Sequence, residues 1–167
     1  VILPKSFSHP LLNDSKQVNE KNRMELRRII EGEAVAFAVA EVDAGEIDEI
    51  NILKASIKAM HKALDLIRPD PGLILVDGNR FIRYKKIPHG CVIKGNAIFM
   101  SIVAAKKKKK TFRDEYMKTL HEEYPQYGWN HNKGYGTLAH RNAIATHGIC
   151  KYHRKSFRLK PVQQELF

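Results

Sequence analysis

The sequence contains little cysteine. Its 167 residues include only Cys91 and Cys150, which stand far apart and in no spacing typical of a metal or redox site. We interpret both as reduced thiols and therefore expect a cytoplasmic protein. The eight histidines also lack the spacing of metal ligands, so we interpret them as surface or packing residues.

Long apolar runs are absent as well. No run approaches the length that a membrane-spanning helix needs, which excludes a protein held in the bilayer by such a helix. No basic amphipathic stretch carries the Trp- and Leu-rich face of an interfacial anchor either. We therefore expect no membrane partner.

Acidic side chains are in short supply. There are 18 of them against 29 Lys and Arg residues, which gives a formal net charge of +11. A domain this basic usually binds a polyanion, in the first place nucleic acid and in the second an anionic membrane surface. The length suits one domain with a sizeable core and is too small for two of comfortable size.

Apolar patterns predict helices and strands that follow one another without strict alternation. Helices are expected over 19–31, 43–67 and 97–122 and again up to about 147, and strands over 34–42, 73–77 and 92–93. Gly32 should end the first helix, and the second should break near Asn51. The fold class is therefore α/β, with a mixed sheet flanked by helices and a C-terminal helical portion.

The second predicted helix has a short apolar side. Asp43 and Glu46 at its start are interpreted as helix caps. The residues expected on its buried side are Ile52, Ala55, Ala59, Ala63 and Leu66.

A run of five lysines, 106–110, lies inside the long predicted helix. Such runs usually coat a solvated face or act as a localisation signal. Five consecutive helical residues, however, sweep about 500° and so reach every face. The apolar stripe of this helix passes through Lys109, where an uncompensated charge would cost several kcal/mol. We therefore expect local fraying or an altered sequence here, rather than a functional patch.

The stretch 73–79 places a carboxylate at the tip of an apolar strand. Asp77 ends the run and Gly78 follows it. Open α/β sheets keep their chemistry at the carboxyl ends of their strands. The alternative is that Asp77 and Gly78 only close the strand with a turn.

Aromatic residues cluster in the second half of the chain. Tyr124, Tyr127 and Trp129 could stack on bases, but a packing cluster is the favoured interpretation. Tyr135 stands between two glycines and could be a packed turn residue.

Seven short motifs together resemble bacterial ribonuclease HII, the type 2 ribonuclease H. They occur in that family's order and spacing, between Val1 and about Phe157, and each is weak when taken alone. The motifs are Asp14-Ser15-Lys16, Asn51-Ile52-Leu53-Lys54-Ala55, Val76-Asp77-Gly78, Thr111-Phe112-Arg113-Asp114, Tyr124-Pro125-Gln126-Tyr127, Lys133-Gly134-Tyr135-Gly136-Thr137 and His153-Arg154-Lys155-Ser156-Phe157.

The resemblance implies a ribonuclease H-like sheet. It also implies an endonuclease that cuts the RNA strand of RNA–DNA hybrids and cuts at single ribonucleotides embedded in DNA. Phosphodiester hydrolysis of this kind uses two divalent ions about 4 Å apart, and Mn²⁺ or Mg²⁺ would be held by carboxylates. By resemblance, Asp77 is one catalytic metal ligand and Asn96 occupies the position of another.

The resemblance also assigns contacts to the nucleic acid. Ser15 and Lys16 match phosphate contacts, although an ordinary surface loop is the alternative. Tyr135 matches the tyrosine that stacks at the sugar beside the ribonucleotide. Lys133 and Arg154 complete the expected nucleic-acid-binding set.

The sequence departs from the family in three places. The family's first strand, with an Asp-Glu pair and a Gly-Arg-Gly motif, would precede Val1, so we expect a fragment that lacks this segment. Lys94-Gly95-Asn96 carries Asn where the family has Asp, and Asn offers a neutral oxygen in place of a charge. The lysine run replaces a mostly small and apolar stretch. We therefore expect the chain to be inactive or strongly impaired.

The last ten residues are interpreted as a tail, 158–167, after a ribonuclease H-like domain over 1–157. Gln163, Leu166 and Phe167 resemble the short peptide with which bacterial replication and repair proteins bind the sliding clamp. Packing of the tail onto the domain is the alternative. For the whole chain, which we expect to be a monomer, the alternatives are a catalytically silent hybrid-binding module and a generic basic α/β scaffold.

Overall fold

The computed structural model describes residues 1–10, 20–93 and 99–157. The chain divides into two compact units. Unit 1 comprises Val1–Glu41 and Ser56–Thr111, and unit 2 comprises Val42–Ala55 and Phe112–Phe167. Within the described ranges, no helix is long and apolar enough to cross a membrane.

Five α-helices and two strands make up the regular structure of the described residues. In chain order they are α1 (Glu20–Glu33), α2 (Ala44–Leu66), β1 (Ile74–Asp77), β2 (His89–Val92), α3 (Met100–Glu123), a 3₁₀ turn (Pro125–Tyr127), α4 (Trp129–Asn132) and α5 (Leu138–His147). The predicted α/β class is confirmed, with helices dominating the C-terminal part. The prediction that Gly32 ends the first helix was wrong by one residue, because α1 continues to Glu33.

The sheet of unit 1 places Asp77 at an open strand end. Strands β1 and β2 are parallel, and Asp77 is paired in register with Val92. Ile74 and Val76 alternate onto a buried face and pack with the buried Tyr84. This small core anchors β1, so the carboxylate that follows it has a fixed position.

The predicted strand over 34–42 was wrong. In the described residues this segment forms only an isolated antiparallel bridge between Ile2 and Ala36. The bridge is closed by the Ile2 N–H, which donates to the Ala36 carbonyl at 2.7 Å. A strand needs a continuous partner for its backbone groups, and Ile2 supplies one for only a single position.

The predicted break in the second helix is confirmed. Asn51 has φ 69° and ψ 161° inside α2, and its side-chain oxygen accepts hydrogen bonds from the Leu53 and Lys54 N–H groups at 3.0 and 3.2 Å. Asn51 therefore acts as an N-cap in the middle of the helix. Asp43 caps the start of α2 as predicted, because its carboxylate accepts from the Glu46 N–H at 2.8 Å.

The buried side of α2 was only partly predicted. Ala55 is buried, but Ile52 and Leu66 are exposed and Ile57 is buried in their place. The two exposed residues are the first and the last of the predicted stripe, because Ile52 directly follows the break at Asn51 and Leu66 is the last residue of α2.

The prediction for the lysine run was also wrong. Helix α3 continues through all five lysines without fraying, and Lys109 is exposed. Lys108 points inward instead, with 1% of its side chain exposed, and its Nζ lies 2.5 Å from the Glu31 carboxylate. The same Nζ lies 3.6 Å from the centre of the Phe37 ring. The buried charge is therefore compensated by a partner from α1.

Unit 2 has an aromatic core. Tyr127, Trp129 and Leu120 are buried together, with Tyr124 and Tyr152 packed against them. The predicted packing cluster of Tyr124, Tyr127 and Trp129 is therefore confirmed. His140 and His153 join it with stacked rings, their centroids 5.3 Å apart, as expected for packing histidines.

Candidate functional site

Asp77 already has a cation at the strand end. The Lys106 Nζ lies 2.5 Å from the Asp77 Oδ2, and their side chains are 41% and 28% exposed, respectively. This contact is a close ion pair between oppositely charged groups in a partly solvated setting. The carboxylate is therefore held in an ion pair by the first residue of the lysine run.

The described residues do not fit a pair of divalent ions. They contain no group of three or more His, Cys, Asp or Glu side chains that could hold a metal. Hard divalent ions gain affinity from several charged oxygen ligands, and Asp77 supplies one whose charge Lys106 already offsets. Asn96, the second predicted metal position, lies outside the described residues, as do the predicted phosphate contacts Ser15 and Lys16.

A tight turn in unit 2 presents Tyr135 to solvent. The Tyr135 side chain belongs to the exposed large hydrophobic residues, with the residue 65% exposed. Lys133 and Gly134 before it have φ values of 50° and 76°. Asn132 holds the turn, because its Oδ1 accepts from the Gly134 N–H at 2.8 Å and its Nδ2 donates to the Tyr127 carbonyl at 2.7 Å.

Gly134 is required in this turn for two reasons. Its positive φ disfavours any residue with a Cβ. A Cβ built at this position would also lie 2.9 Å from the Met117 sulfur. Thr137 then caps α5, with its hydroxyl accepting from the His140 N–H at 3.3 Å, so the turn is anchored on both sides.

Arg113 supports the same turn from α3. Its guanidinium donates to the Lys133 carbonyl at 3.2 Å, and its Cζ lies 5.1 Å from the centre of the Tyr135 ring. This distance is within the range of a cation–π contact. Lys133 turns its own Nζ to the Asn130 carbonyl, at 2.6 Å. The structure therefore brings Lys133 and Tyr135 together, with Arg113 beside the exposed ring.

A second turn in unit 2 carries Arg154. The Arg154 guanidinium lies 4.6 Å from the centre of the Phe157 ring. Asp48 holds this turn by accepting hydrogen bonds from the Lys155 and Ser156 N–H groups, at 2.7 and 3.0 Å, and one from the Ser156 hydroxyl at 2.5 Å. The Ser156 bonds lower the pKa of the Asp48 carboxyl, so the carboxylate stays charged in this position.

Three supporting residues escaped the sequence analysis. Lys106 was treated only as part of a run expected to fray or to be altered, although its place one turn after the buried Ile102 could have directed attention to its own face of α3. Asp48 stands in the first turns of a helix, a common place for an acid. Arg113 belongs to a motif that carried the resemblance, and its contact with a ring 22 positions later had no signal in the sequence.

The predicted clamp-binding residues Gln163, Leu166 and Phe167 lie outside the described residues. Both cysteines carry free thiols, as predicted. Cys150 has its sulfur 3.2 Å from the His153 Nδ1.

Comparison with known proteins identifies the family. The family model described as ribonuclease HII matches residues 5–160. The ribonuclease HII of Christiangramia forsetii is 56% identical over 166 residues, which cover 99% of this chain and 84% of the relative. That of Bacteroides thetaiotaomicron is 58% identical over 159 residues, covering 95% and 80%, and that of Parabacteroides distasonis is 54% identical over 166 residues, covering 99% and 83%.

These matches span nearly the whole chain at high identity. The chain belongs to the ribonuclease HII family, whose members are hydrolases that act on RNA. The resemblance seen in the seven motifs is thereby confirmed.

Proposed function

We propose that the chain binds RNA–DNA hybrids and DNA containing ribonucleotides, and that it is an endonuclease of the ribonuclease HII type. The observation that carries this proposal is the match over residues 5–160. The net charge of +11 supports a polyanionic partner.

The exposed Tyr135 turn is the proposed contact with the ribonucleotide. An exposed aromatic ring can stack on a sugar or base, and a neighbouring guanidinium adds attraction to phosphate. Arg113 lies beside that ring and donates to the Lys133 carbonyl, so the turn is supported before substrate binds. Arg154, Ser15 and Lys16 are proposed as further contacts with the phosphate backbone.

The catalytic half of the proposal is weaker in this chain. The family depends on divalent metal ions, and we propose Mn²⁺ or Mg²⁺, with Asp77 and Asn96 at the metal positions. Asn96 brings no charge, and Asp77 is paired with Lys106. We therefore propose that the 167-residue chain cleaves poorly while it still binds.

Hybrid binding tests the proposal directly. Fluorescence anisotropy of a labelled RNA–DNA hybrid should show binding that weakens as salt rises, because phosphate contacts release counterions. Tyr135→Ala should weaken binding about fivefold or more, since stacking on an aromatic residue contributes roughly 1–3 kcal/mol. Tyr135→Phe, which keeps the ring, should bind like the parent chain.

Tyr116→Ala is the matched control, since Tyr116 is also an exposed tyrosine and belongs to α3 and not to the turn itself. It should leave hybrid affinity unchanged. Absence of binding at low salt would favour the generic scaffold. Binding with no cleavage under any metal would favour the catalytically silent binding module.

We further propose that the tail, 158–167, follows the ribonuclease H-like domain, 1–157, as a sliding-clamp peptide. Leu166 and Phe167 offer adjacent apolar anchors and Gln163 a polar hook. A peptide of about a dozen C-terminal residues should bind a bacterial sliding clamp at roughly micromolar affinity, near −8 kcal/mol. Replacing Leu166 and Phe167 by Ala should abolish this, and a large fall in Tm without clamp binding would indicate packing instead.

We also propose that the chain works as a monomer in the cytoplasm. The free thiols of Cys91 and Cys150 support a reducing compartment. Size-exclusion chromatography with light scattering tests the monomer, and a stable dimer would contradict it.

A further inference from the structure

We propose that the Lys106 ammonium is a built-in cation at Asp77, and that it competes with divalent ions for this carboxylate. The inference rests on the proposed function in one respect, namely that Asp77 belongs to the metal-binding end of the sheet. Beyond that, it identifies the Lys106 ammonium as a group of the chain itself that competes with metal ions for Asp77.

The contact between the two side chains is direct. The Lys106 Nζ lies 2.5 Å from the Asp77 Oδ2. A divalent ion would take up the same lone pairs of the carboxylate at about 2.0–2.6 Å. The ammonium and the metal ion therefore need the same place, and one must leave before the other binds.

Helix α3 holds Lys106 in this position. The preceding turn is fixed by Val103 and Ala104, which are buried against Leu26 and Ile30 of α1. Two residues after Lys106, the buried Lys108 is tied to Glu31. With buried contacts on both sides, the backbone of α3 is held at Lys106, and its side chain lies within reach of Asp77.

The charge of Lys106 also opposes a metal ion from a distance. The other lysines of the run add to this positive field, and burial together with Lys110 and Arg23 lowers the pKa of the Lys107 ammonium. A test must therefore separate the direct contact of Lys106 from the general effect of one positive charge. Lys109 serves this purpose, because it lies on the same helix three residues later and is exposed.

The experiment titrates the full 167-residue chain with MnCl₂ at fixed ionic strength. Isothermal titration calorimetry measures the affinity for Mn²⁺. Lys106→Gln keeps the length and helix propensity of the side chain while it removes the charge. It should tighten Mn²⁺ binding about tenfold, or make binding measurable where the parent shows none. Lys109→Gln removes the same charge and should change the affinity less than twofold.

A second replacement tests whether Asp77 is the ligand responsible for the tighter Mn²⁺ binding. Asp77→Asn added to Lys106→Gln should remove the gain, because the freed carboxylate is the proposed ligand. Equal tightening by the two lysine variants would overturn the proposal by showing a general charge effect. No tightening by Lys106→Gln, in a sample whose circular dichroism matches the parent, would overturn it too; Lys106→Ala replaces this variant if it does not fold.

Hybrid affinity measured without metal, on the same samples, separates this inference from the proposed function. Tighter Mn²⁺ binding in a chain that binds no hybrid would leave the Lys106 inference standing and refute the proposed substrate. Salt-dependent hybrid binding, together with an Mn²⁺ affinity that Lys106→Gln does not change, would support the proposed substrate and refute the Lys106 inference.

Discussion

The strand end of unit 1 and the tyrosine turn of unit 2 differ in how complete they are. In the turn, the Asn132 and Arg113 side chains make hydrogen bonds with backbone groups. Gly134 suits the positive φ and the close approach of Met117, and the Tyr135 side chain remains exposed. At the strand end, Asp77 is held by a lysine in place of other carboxylates. On the proposed function, binding and catalysis could be retained separately in one chain, because the residues proposed for each lie in different units.

The largest expected effect concerns cleavage. The 167-residue chain should cleave an RNA–DNA hybrid about a thousandfold more slowly, or slower still, than the Bacteroides thetaiotaomicron ribonuclease HII, on the order of 4 kcal/mol or more in the activation barrier. The physical reason is that Asn96 has no charge and Asp77 is already paired. Gel assays with Mn²⁺ and Mg²⁺ measure the rates.

Asn96→Asp alone should not restore this activity, because Lys106 still holds Asp77. Asn96→Asp combined with Lys106→Gln should raise the rate above that of either single variant. A rate close to that of the relative in the unmodified chain would break the comparison between the two units.

The next effect concerns the buried pair of unit 1. Glu31→Ala should lower the free energy of unfolding by about 2–4 kcal/mol, because it leaves the Lys108 charge buried without its partner. Lys108→Met should be neutral or stabilising, since an apolar side chain of similar length suits the same space. Urea unfolding measures both.

The double variant Glu31→Ala, Lys108→Met is the control, and it should recover most of the stability lost in Glu31→Ala. If Glu31→Ala is no less stable than the parent chain, Lys108 does not depend on Glu31. The lysine run would then be tolerated for another reason.

A smaller effect is expected in the tyrosine turn. Gly134→Ala should destabilise the chain by about 1–2 kcal/mol, from a strained positive φ and a close approach to the Met117 sulfur. It should also weaken hybrid binding, because Tyr135 must shift. Thermal unfolding and anisotropy measure the two effects.

Gly148→Ala is a matched control. Gly148 has a φ of 75°, close to that of Gly134, with a ψ of −169° that also disfavours any residue with a Cβ, but a Cβ there meets no atom within 4 Å. This variant should show the strain alone and keep its hybrid affinity. Equal loss of hybrid binding in both variants would indicate that the turn has no special role.

The smallest expected effect is a difference between the two units in the pH range over which a single residue changes the stability. Burial, with repulsion from His140, lowers the pKa of His153 in unit 2. The folded chain therefore favours neutral His153, so this stability is present above the unfolded pKa near 6.5 and is lost as pH falls through the folded value. His153→Gln should flatten the dependence of Tm on pH between about 7 and 5.

In unit 1 the corresponding window lies lower. Hydrogen bonds from Lys108 and then Arg27 lower the pKa of the Glu31 carboxyl. The stability from Glu31 is present above its unfolded pKa of about 4.3 and is lost as pH falls through the folded value. Glu31→Gln should therefore change the pH dependence of Tm only below about pH 5, and an effect near pH 6.5 would contradict this assignment.

The sequence was informative wherever local signals agreed with the fold. The apolar run before Asp77 predicted β1, and Asn51 predicted the break in α2 because its side chain can cap a helix from a non-helical conformation. The aromatic cluster around Trp129 was predicted for a similar reason, since large aromatic residues close together in sequence tend to bury one another.

The sequence-based predictions failed where the structure of a residue depends on a partner far away along the chain. Lys108 is buried because Glu31, 77 positions earlier, meets it, and a periodic pattern contains no such information. The extended segment after α1 had the composition of a strand, but its pairing depends on neighbours that a local pattern does not reveal. Lys106 was missed because its meaning comes from Asp77, on a different element.

The bonds that Asp48 makes with Ser156 have a consequence for the order of folding. The two residues are 108 positions apart, so the start of α2 can make these bonds only after Ser156 has been synthesised. The Lys108–Glu31 and Lys106–Asp77 pairs become available earlier in synthesis. At roughly 5–20 residues per second, the ribosome would release the pieces of unit 1 several seconds before Ser156. A nascent chain can therefore form the Lys106–Asp77 pair first, and the hydrogen bonds that hold the turn with Arg154 form last.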